Sequence, residues 1–423
     1  MEPVRRYGYQ MSEIPKSFIV QLPKTDLHVH LDGSLRLPTL LELAREHHVE
    51  LPSNTEGGMR ELVFKDRYGS LAEYLRGFQY TCAVMQTEEA LERVAFELAE
   101  DNQNEGVRYL EVRFAPQLHQ HPELDAVAVI SAVDRGLRRA RDEYNRRPEI
   151  VAGREPIFEY GIICCAMRKF TAQFSRYYAT LFAAHPYARP QELYSMASVE
   201  LARAAVVARD RDGMQVVGFD LAGEEAGYPA EDHREAFDYA HRHFMKKTVH
   251  AGEAYGPESI FQAITDLHAD RIGHGTYLLQ PDAIRDPDIE DKALYVERLG
   301  EYIADRRITL EVCLTSNIQT NPHIKEIGEH TFRKLRNQRL STTICTDNRL
   351  VSNTTVTDEL ALAVKHLDVN MRDLKSIIIY GFKRSFFPGT YLRKRQYVRQ
   401  IIDYYESIER RYQTTEATGQ LSF

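Results

Sequence analysis

The chain has 423 residues, of which 43% are hydrophobic and 27% charged, and its formal net charge is −8. This composition is ordinary for a globular protein, and the length allows a large core. Nucleic-acid binding depends on basic side chains that neutralise phosphates, so an acidic chain is not expected to have a nucleic-acid partner. No apolar run approaches the ~20 residues that cross a bilayer, so no membrane partner is expected either.

The N-terminal segment, MEPVRRYGYQMSEIPKSFIVQLPK, contains no apolar stretch of the kind that a secretory signal needs. The five cysteines show no zinc-finger spacing, and two of them are adjacent at Cys164 and Cys165. Reduced thiols in a cytoplasmic protein are therefore expected. The sequence does not indicate an oligomeric state.

Short β-like runs alternate with longer helical patterns along most of the chain. Eight strands are predicted, at Lys24–His30, Val107–Phe114, Ile157–Ala166, Gln215–Leu221, Thr248–His250, Arg271–His274, Ile308–Cys313 and Ser341–Thr346. Stretches between them have apolar residues at helical spacing, as in Thr87–Glu105 and Pro190–Ala208. Thr87 is the expected N-cap of the first of these helices.

Strands that alternate with helices pair in parallel through crossover connections, and eight such units close most simply into a (β/α)₈ barrel. We therefore predict an α/β TIM barrel with extra helices and loop insertions, forming one catalytic domain over residues 1–423. The barrel is expected to span about 23–390. A C-terminal helix and tail follow over about 391–423, and the amphipathic part, Tyr391–Arg411, is expected to cover the barrel base. The alternative is a doubly wound open sheet, but no G-x-G-x-x-G follows the first strand.

The segment KTDLHVHLDG, residues 24–33, places His28 and His30 two apart in a predicted strand. Alternate side chains of a strand share a face, so both imidazoles would point the same way. Two imidazoles aimed at one point make half of a transition-metal site, and imidazole suits zinc well. Taken alone, the motif more often corresponds to two surface or packed histidines.

Three further motifs each follow a short apolar run, namely HAGE at 250–253, RIGHG at 271–275 and CTDN at 345–348. In a barrel of this kind, catalytic groups come from the C-terminal ends of the strands and the loops that follow them. The polar residues at predicted strand ends are His28, His30, Asp220, His250, His274 and Asp347. We therefore expect these motifs to converge on one metal and one substrate.

The motifs KTDLHVHLDGSL, DLAGEE, HAGE, RIGHG and CTDN, in this order, resemble those of the adenosine deaminase family of the amidohydrolase superfamily. The resemblance extends from about Pro23 to about Phe387. It implies the same (β/α)₈ barrel and the hydrolytic deamination of adenosine and 2′-deoxyadenosine to inosine and 2′-deoxyinosine plus ammonia. The implied partner is a small purine nucleoside. The implied cofactor is one Zn²⁺ per chain, held by His28, His30, His250 and Asp347.

The resemblance also implies roles for the remaining site residues. Bound zinc lowers the pKa of water from 15.7 toward ~7, and Glu253 would protonate the purine N1 as hydroxide attacks C6. His274 would orient the attacking water, and Asp347 would accept a hydrogen bond from it. Substrate contacts are expected from His30 and Asp32 near the ribose 5′-hydroxyl, from the Gly223 N–H at N3, and from Asn348 at N7.

Asn348 departs from the family pattern, which has a second aspartate at this position. An asparagine carries a permanent N–H donor for N7, so the contact can survive, but the exact aminopurine stays open. The alternatives are a deaminase of a modified nucleoside such as aminodeoxyfutalosine, or of adenine or AMP. AMP would require a basic cluster for its phosphate, and Asp32 near the 5′ position disfavours it.

An alternative outside the enzymes is a non-catalytic relative that acts as a nucleoside-binding or growth-factor-like protein. Such a relative would be expected to lack a ligand or Glu253, and neither is missing. Tyr74 and Phe78 are expected either to be aromatic lid residues or to pack on the barrel. Arg113 and Ser316 are expected beside the ligands.

Overall fold

Eight parallel strands surround a common axis in this computed structural model, which describes residues 14–321 and 323–418. The strands are β1 (Lys24–His30), β2 (Val107–Phe114), β3 (Glu159–Met167), β4 (Val216–Ala222), β5 (Lys246–Ala251), β6 (Arg271–His274), β7 (Thr309–Val312) and β8 (Thr342–Ile344). They pair in chain order from β1 to β8.

A bridge between Val29 and Asp347 joins the segment after β8 to β1. The His30 N–H donates to the Asp347 carbonyl and the Asp347 N–H donates to the His28 carbonyl, both over 2.7 Å. The ring of strands is thereby closed. The predicted TIM barrel is confirmed, and the open-sheet alternative is wrong.

Helices connect the consecutive strands and surround the barrel. Those in the described residues are α1 (Lys16–Gln21), α2 (Leu37–Glu46), α3 (Glu56–Leu62), α4 (Leu71–Leu75), α5 (Phe78–Val84), α6 (Glu88–Asn104), α7 (Ala126–Asn145), α8 (Pro148–Val151), α9 (Arg176–Ala184), α10 (Pro190–Asp210), α11 (Arg234–Arg242), α12 (Pro257–Thr265), α13 (Lys292–Arg306), α14 (Leu314–Thr320), α15 (Phe332–Asn337), α16 (Val356–His366), α17 (Met371–Arg384) and α18 (Tyr391–Thr418). The largest insertion is α2–α5, between β1 and the crossover helix α6.

The boundaries of the predicted strands, and of the predicted helices at Thr87–Glu105 and Pro190–Ala208, agree with the structure to within about two residues, whereas α18 extends seven residues beyond the predicted Arg411. Thr87 caps α6 as predicted, because its side chain accepts a hydrogen bond from the Ala90 N–H. β5 begins two residues before the predicted start, where Lys246 pairs with β4. β8 ends two residues early because the chain turns there, with the Asn348 N–H donating to the Thr346 carbonyl.

Helix α18 covers the N-terminal end of the barrel, as predicted. The Tyr397 hydroxyl donates to the Arg108 carbonyl in β2 over 2.6 Å, and Arg393 donates to Glu159, the first residue of β3, over 2.5 Å. The end of the predicted tail, 419–423, lies outside the described residues. Residues 1–13, the first part of the N-terminal segment in which no secretory signal is expected, also lie outside the described residues.

All five cysteines are buried, unpaired thiols. Within the ranges that the structure describes, no helix combines the length and the apolar character that crossing a membrane requires.

A buried network of ion pairs crosses the barrel interior below the strand ends. Arg113 donates to Asp220 over 3.0 Å and to Glu311 over 2.7 Å. Arg271 donates to Glu311 over 2.6 Å and pairs with Glu111 on the other side. Breaking a buried ion pair by removing one partner typically costs ~3–5 kcal/mol. The network therefore holds β2, β4, β6 and β7 in a fixed relation under the site.

Candidate active site

The predicted site residues meet at the C-terminal end of the barrel. His28 and His30 lie in β1, His250 in β5 and His274 at the end of β6, and Asp347 follows β8. The ring centroid of His28 is 5.4 Å from that of His30, 4.6 Å from that of His250 and 4.8 Å from that of His274. The motifs that the sequence placed at separate strand ends therefore form one cluster.

Two of these residues have a left-handed backbone. The φ angle is 65° at His274 and 63° at Asp347. Residues other than glycine rarely adopt this backbone conformation. It persists only where the surrounding structure stabilises it, and such residues are concentrated at functional sites.

Two histidines have their protons placed away from the centre of the cluster. The His28 Nδ1–H donates to Glu311 over 2.8 Å, and the His250 Nδ1–H donates to Asp220 over 3.1 Å. A carboxylate only accepts, so the proton of each neutral ring lies on Nδ1 and each Nε2 carries a lone pair. The His28 Nε2 is buried and has no hydrogen-bond partner. Both rings are therefore in the state that metal ligation requires.

The spacing of the donor atoms allows several of them to reach one zinc ion. The His30 Nε2 is 3.1 Å from the His250 Nε2 and 3.5 Å from the Asp347 Oδ1, which is 3.6 Å from the His28 Nε2. Two atoms that are each ~2.0–2.1 Å from one zinc ion can lie at most about 4.2 Å apart. These three separations allow the predicted ligands to share one ion, which would give the unpartnered His28 Nε2 a partner.

His274 brings a fifth possible donor to the same point. One ligand atom from each of His28, His250, His274 and Asp347 lies within 4.8 Å of the others. The ligand set predicted from the sequence differs from this set in one member, because it contains His30 instead of His274. A catalytic zinc keeps one position open for water or substrate, so five protein donors are more than it needs. One of the histidines must therefore have another task.

Glu253 faces this cluster from the loop after β5. Its Oε2 is 3.7 Å from the His274 Nε2, and 13% of its side chain is exposed. Burial, and next the charge of Asp347, raises the pKa of Glu253 to about 8. The raised pKa favours the protonated carboxyl group that a general acid needs at neutral pH.

The loop that carries Glu253 is held by a second carboxylate, that of Glu225. Glu225 is buried and accepts hydrogen bonds of 2.5–3.1 Å from four successive backbone N–H groups and one hydroxyl, namely those of Gly252, Glu253, Ala254, Tyr255 and Ser259. Buried backbone N–H groups without partners are costly, and here a single side chain satisfies four of them. Glu225 thus fixes the course of the chain on both sides of Glu253.

Replacing Glu225 by glutamine is expected to lower the free energy of unfolding by about 1–3 kcal/mol. The new NH₂ group faces backbone donors and leaves at least one buried N–H unpaired, which costs this amount. The measurement is urea unfolding of both proteins. The matched control is Glu224→Gln, whose side chain is 48% exposed and pairs with Lys169, so we expect a change below ~0.5 kcal/mol. Equal losses in the two variants would contradict the special role of Glu225.

Asp32 lies in a second buried cluster beside His30, with 3.9 Å between the Asp32 Oδ1 and the His30 Nδ1. The ligand atoms of Asp32, Cys82 and His119 lie within 4.8 Å of one another. The His119 Nδ1–H donates to the Met85 carbonyl over 2.9 Å, and the His119 Nε2 and the Asp32 Oδ1 are buried without partners. Burial raises the pKa of Asp32 to about 7 and lowers that of His119 to about 4. The cluster thus offers two unused hydrogen-bonding atoms to a ligand.

Asn348 contacts a tyrosine from the insertion after β1. The Asn348 Nδ2 donates to the Tyr74 hydroxyl over 2.7 Å, and that hydroxyl is 2.9 Å from the Ser352 Oγ. Tyr74 is buried, with the Phe78 ring centroid 6.4 Å from its own. Tyr74 is therefore packed against the segment that follows β8, beside Asn348. Gly223 follows β4 with a φ of 99°, a backbone conformation that favours glycine.

Arg113 and Ser316 lie beside the predicted ligands, as expected. Ser316 donates to the Asp347 carboxylate, and Arg113 holds the Glu311 carboxylate that orients His28. Sequence reasoning missed the parts played by Glu311 and Glu225. The available signal for Glu311 was a single charge inside the apolar run ITLEV.

Comparison with known proteins identifies the family. The sequence model of the family described as adenosine deaminase matches residues 23–404. The chain belongs to the adenosine deaminase family. It is 38% identical over 372 residues to an adenosine deaminase of Mycobacterium sp. (strain JLS), covering 88% of this chain and 92% of that protein. Adenosine deaminase 1 of Streptomyces coelicolor is 37% identical, with 88% and 84% covered.

Solved structures share the architecture of this adenosine deaminase family member. An N6-methyl-AMP deaminase from Arabidopsis thaliana has a TM-score of 0.68 and 26% identity, with 92% of this chain and 98% of that chain covered. An adenine deaminase from Arthrobacter aurescens has a TM-score of 0.71 at 18% identity, with 91% and 99% covered, and supports the fold alone. The predicted family, and with it the prediction of a deaminase-type hydrolase, is confirmed.

Proposed function

We propose that this protein is a zinc-dependent aminohydrolase that converts adenosine and 2′-deoxyadenosine to inosine and 2′-deoxyinosine with release of ammonia. The observation that carries the proposal is the convergence of donor atoms from His28, His30, His250 and Asp347, three pairs of which are 3.1–3.6 Å apart. Glu253, whose pKa is raised by burial, lies beside the same point, with its Oε2 3.7 Å from the His274 Nε2. The names of the Mycobacterium and Streptomyces relatives support adenosine as the substrate.

The ligand set would hold one Zn²⁺, which lowers the pKa of water toward ~7 and so supplies hydroxide at neutral pH. Asp347 accepts a hydrogen bond from the attacking water and directs its oxygen toward C6 of the purine. Glu253 delivers its proton to N1 as the new C6–O bond forms, so the ring does not have to carry negative charge. The proton that the water loses restores the Glu253 carboxyl group.

The second half of the reaction removes the amino group. The proton of the new C6 hydroxyl moves to the amine, the C6–N bond breaks with its electron pair leaving on nitrogen, and ammonia departs. The product keeps a carbonyl at C6 and the proton on N1. One water is consumed for each ammonia released, so the atoms balance without a further reactant.

The cluster of Asp32 and His119 supports a nucleoside rather than a nucleotide. The His119 Nε2 is an acceptor, because its Nδ1–H is used by the Met85 carbonyl. The Asp32 carboxyl group, with a pKa of about 7, accepts in its ionised form. Either atom can accept the single hydrogen of a ribose 5′-hydroxyl. A 5′-phosphate would bring negative charge against Asp32. The five buried thiols suit the reducing cytoplasm, which we propose as the location.

The test is ammonia release from adenosine, 2′-deoxyadenosine, 5′-deoxyadenosine, AMP and adenine. We expect the first two to be turned over best. We expect kcat/KM for 5′-deoxyadenosine to fall about 10–100-fold, since a buried polar group left without a partner costs ~1–3 kcal/mol. AMP is the second candidate substrate, because the Arabidopsis thaliana relative is an N6-methyl-AMP deaminase. Faster turnover of AMP or adenine than of adenosine would overturn the proposal.

A further inference from the structure

A chain of three hydrogen bonds begins at the start of α15 and ends on His274. Its first donor is the backbone N–H of Phe332, which is 3.0 Å from the His330 Nδ1. A backbone N–H only donates, so the His330 Nδ1 accepts and the proton of the neutral ring lies on Nε2. Burial lowers the pKa of His330 to about 4, which keeps the ring neutral. The His330 Nε2–H then donates to the Asn317 Oδ1 over 3.2 Å.

The orientation of the Asn317 amide follows from this first half of the chain. Since its oxygen accepts from His330, its nitrogen faces the His274 Nδ1, at 2.9 Å. An amide nitrogen only donates, so the His274 Nδ1 must accept. The proton of the neutral His274 ring therefore lies on Nε2. That atom points into the site, 3.7 Å from the Glu253 Oε2.

We propose that Asn317 and His330 are positioning residues that hold His274 as its Nε2–H tautomer, so that His274 presents a hydrogen-bond donor to the reacting atoms. His28 and His250 have the opposite tautomer, because carboxylates accept from their Nδ1–H groups. A nitrogen that carries a proton cannot ligate a metal. The hydrogen bonds through Asn317 and His330 therefore prevent His274 from acting as a metal ligand. The four predicted ligands remain from the five converging donors.

The consequence for catalysis rests on the proposed function. A fixed N–H beside C6 can stabilise the negative charge that develops on the attacking oxygen, and it cannot take a proton from water. Loss of one such preorganised donor typically lowers kcat by about 10²–10³. Asn317 and His330 touch neither metal nor substrate, so their whole contribution passes through the orientation and tautomer of His274.

The direct test is a nitrogen NMR spectrum of the zinc-loaded, full-length protein with ¹⁵N-labelled histidine. The His274 signals are assigned by their loss in His274→Gln. We expect a protonated Nε2 and an unprotonated Nδ1 in the wild-type protein. A protonated Nδ1, or a metal-bound Nε2, would overturn the proposal. This readout needs no substrate, so it decides the tautomer even if the aminopurine panel shows no turnover, a result that would overturn only the proposed function.

The variant that tests the hydrogen bond from Asn317 to His274 is Asn317→Asp. A carboxylate accepts from the His274 Nδ1–H, so we expect the proton to move to Nδ1 and kcat to fall about 10²–10³-fold while KM changes little. The matched control is Asn321→Asp, one helical turn after Asn317 in the chain. The Asn321 amide donates to the Tyr277 hydroxyl over 3.0 Å rather than to His274. The His274 spectrum and kcat of this control should stay at the wild-type values. An unchanged His274 tautomer in Asn317→Asp would contradict the proposal.

Discussion

The His250→Ala variant is expected to lose zinc and deaminase activity together, with kcat at least ~10⁴-fold lower. His250 is held by Asp220 with its Nε2 lone pair 3.1 Å from the His30 Nε2, so its removal takes one of four ligands from the ion. Without the ion, the pKa of water returns from ~7 to 15.7, and hydroxide at neutral pH becomes scarce. Metal analysis and ammonia release are measured on the same preparation.

The control for this variant is another histidine-to-alanine change at the surface. The His268 side chain is 37% exposed and pairs with Asp238 over 3.1 Å, away from the site. His268→Ala should keep zinc and activity. A His250→Ala protein that retained a full equivalent of zinc would show that His250 is not a ligand.

The Glu253→Gln variant is expected to lower kcat by about 10²–10⁴ while zinc content stays normal. Glutamine keeps the shape of the side chain but cannot deliver a proton to N1, and general acid catalysis typically contributes this factor. Binding of the nucleoside in its ground state should change much less than kcat, because the proton is transferred only during the reaction. Single-turnover kinetics, paired with metal analysis, separate the two effects.

Glu224→Gln serves as the control here as well, since it lies in the same motif region but on the exposed side. If Glu253→Gln kept most of its rate, the proton would come from another group. If it lost zinc, Glu253 would belong to the metal ligands, and the division of tasks between His250 and Glu253 would be wrong.

The barrel was predictable because its signals are local. Each strand is a short apolar run, and each crossover helix has apolar residues at helical spacing, as in α6 with its Thr87 cap. Helices α3, α4 and α5 are only five to seven residues long. Isolated helices of this length are marginal, so they depend on tertiary packing against the barrel mouth rather than on a pattern in the sequence.

The convergence of the proposed ligands with Glu253 was predictable because the motifs that carry them end predicted strands. The residues that orient them were not, because their roles arise from contacts between distant segments. Asn317 and His274 are 43 positions apart, and Glu311 and His28 are 283 apart. An asparagine or a glutamate gives no sign in the sequence of which histidine it contacts. Only the folded barrel shows which hydrogen-bond donors and acceptors meet.

The most direct test of the central claim is a zinc titration of metal-free protein, followed by ammonia release from adenosine. If His28, His30, His250 and Asp347 hold one catalytic ion, activity should rise in proportion to added zinc and reach its plateau at one equivalent per chain. A plateau at two equivalents, or full activity before any zinc is added, would contradict the single-zinc site.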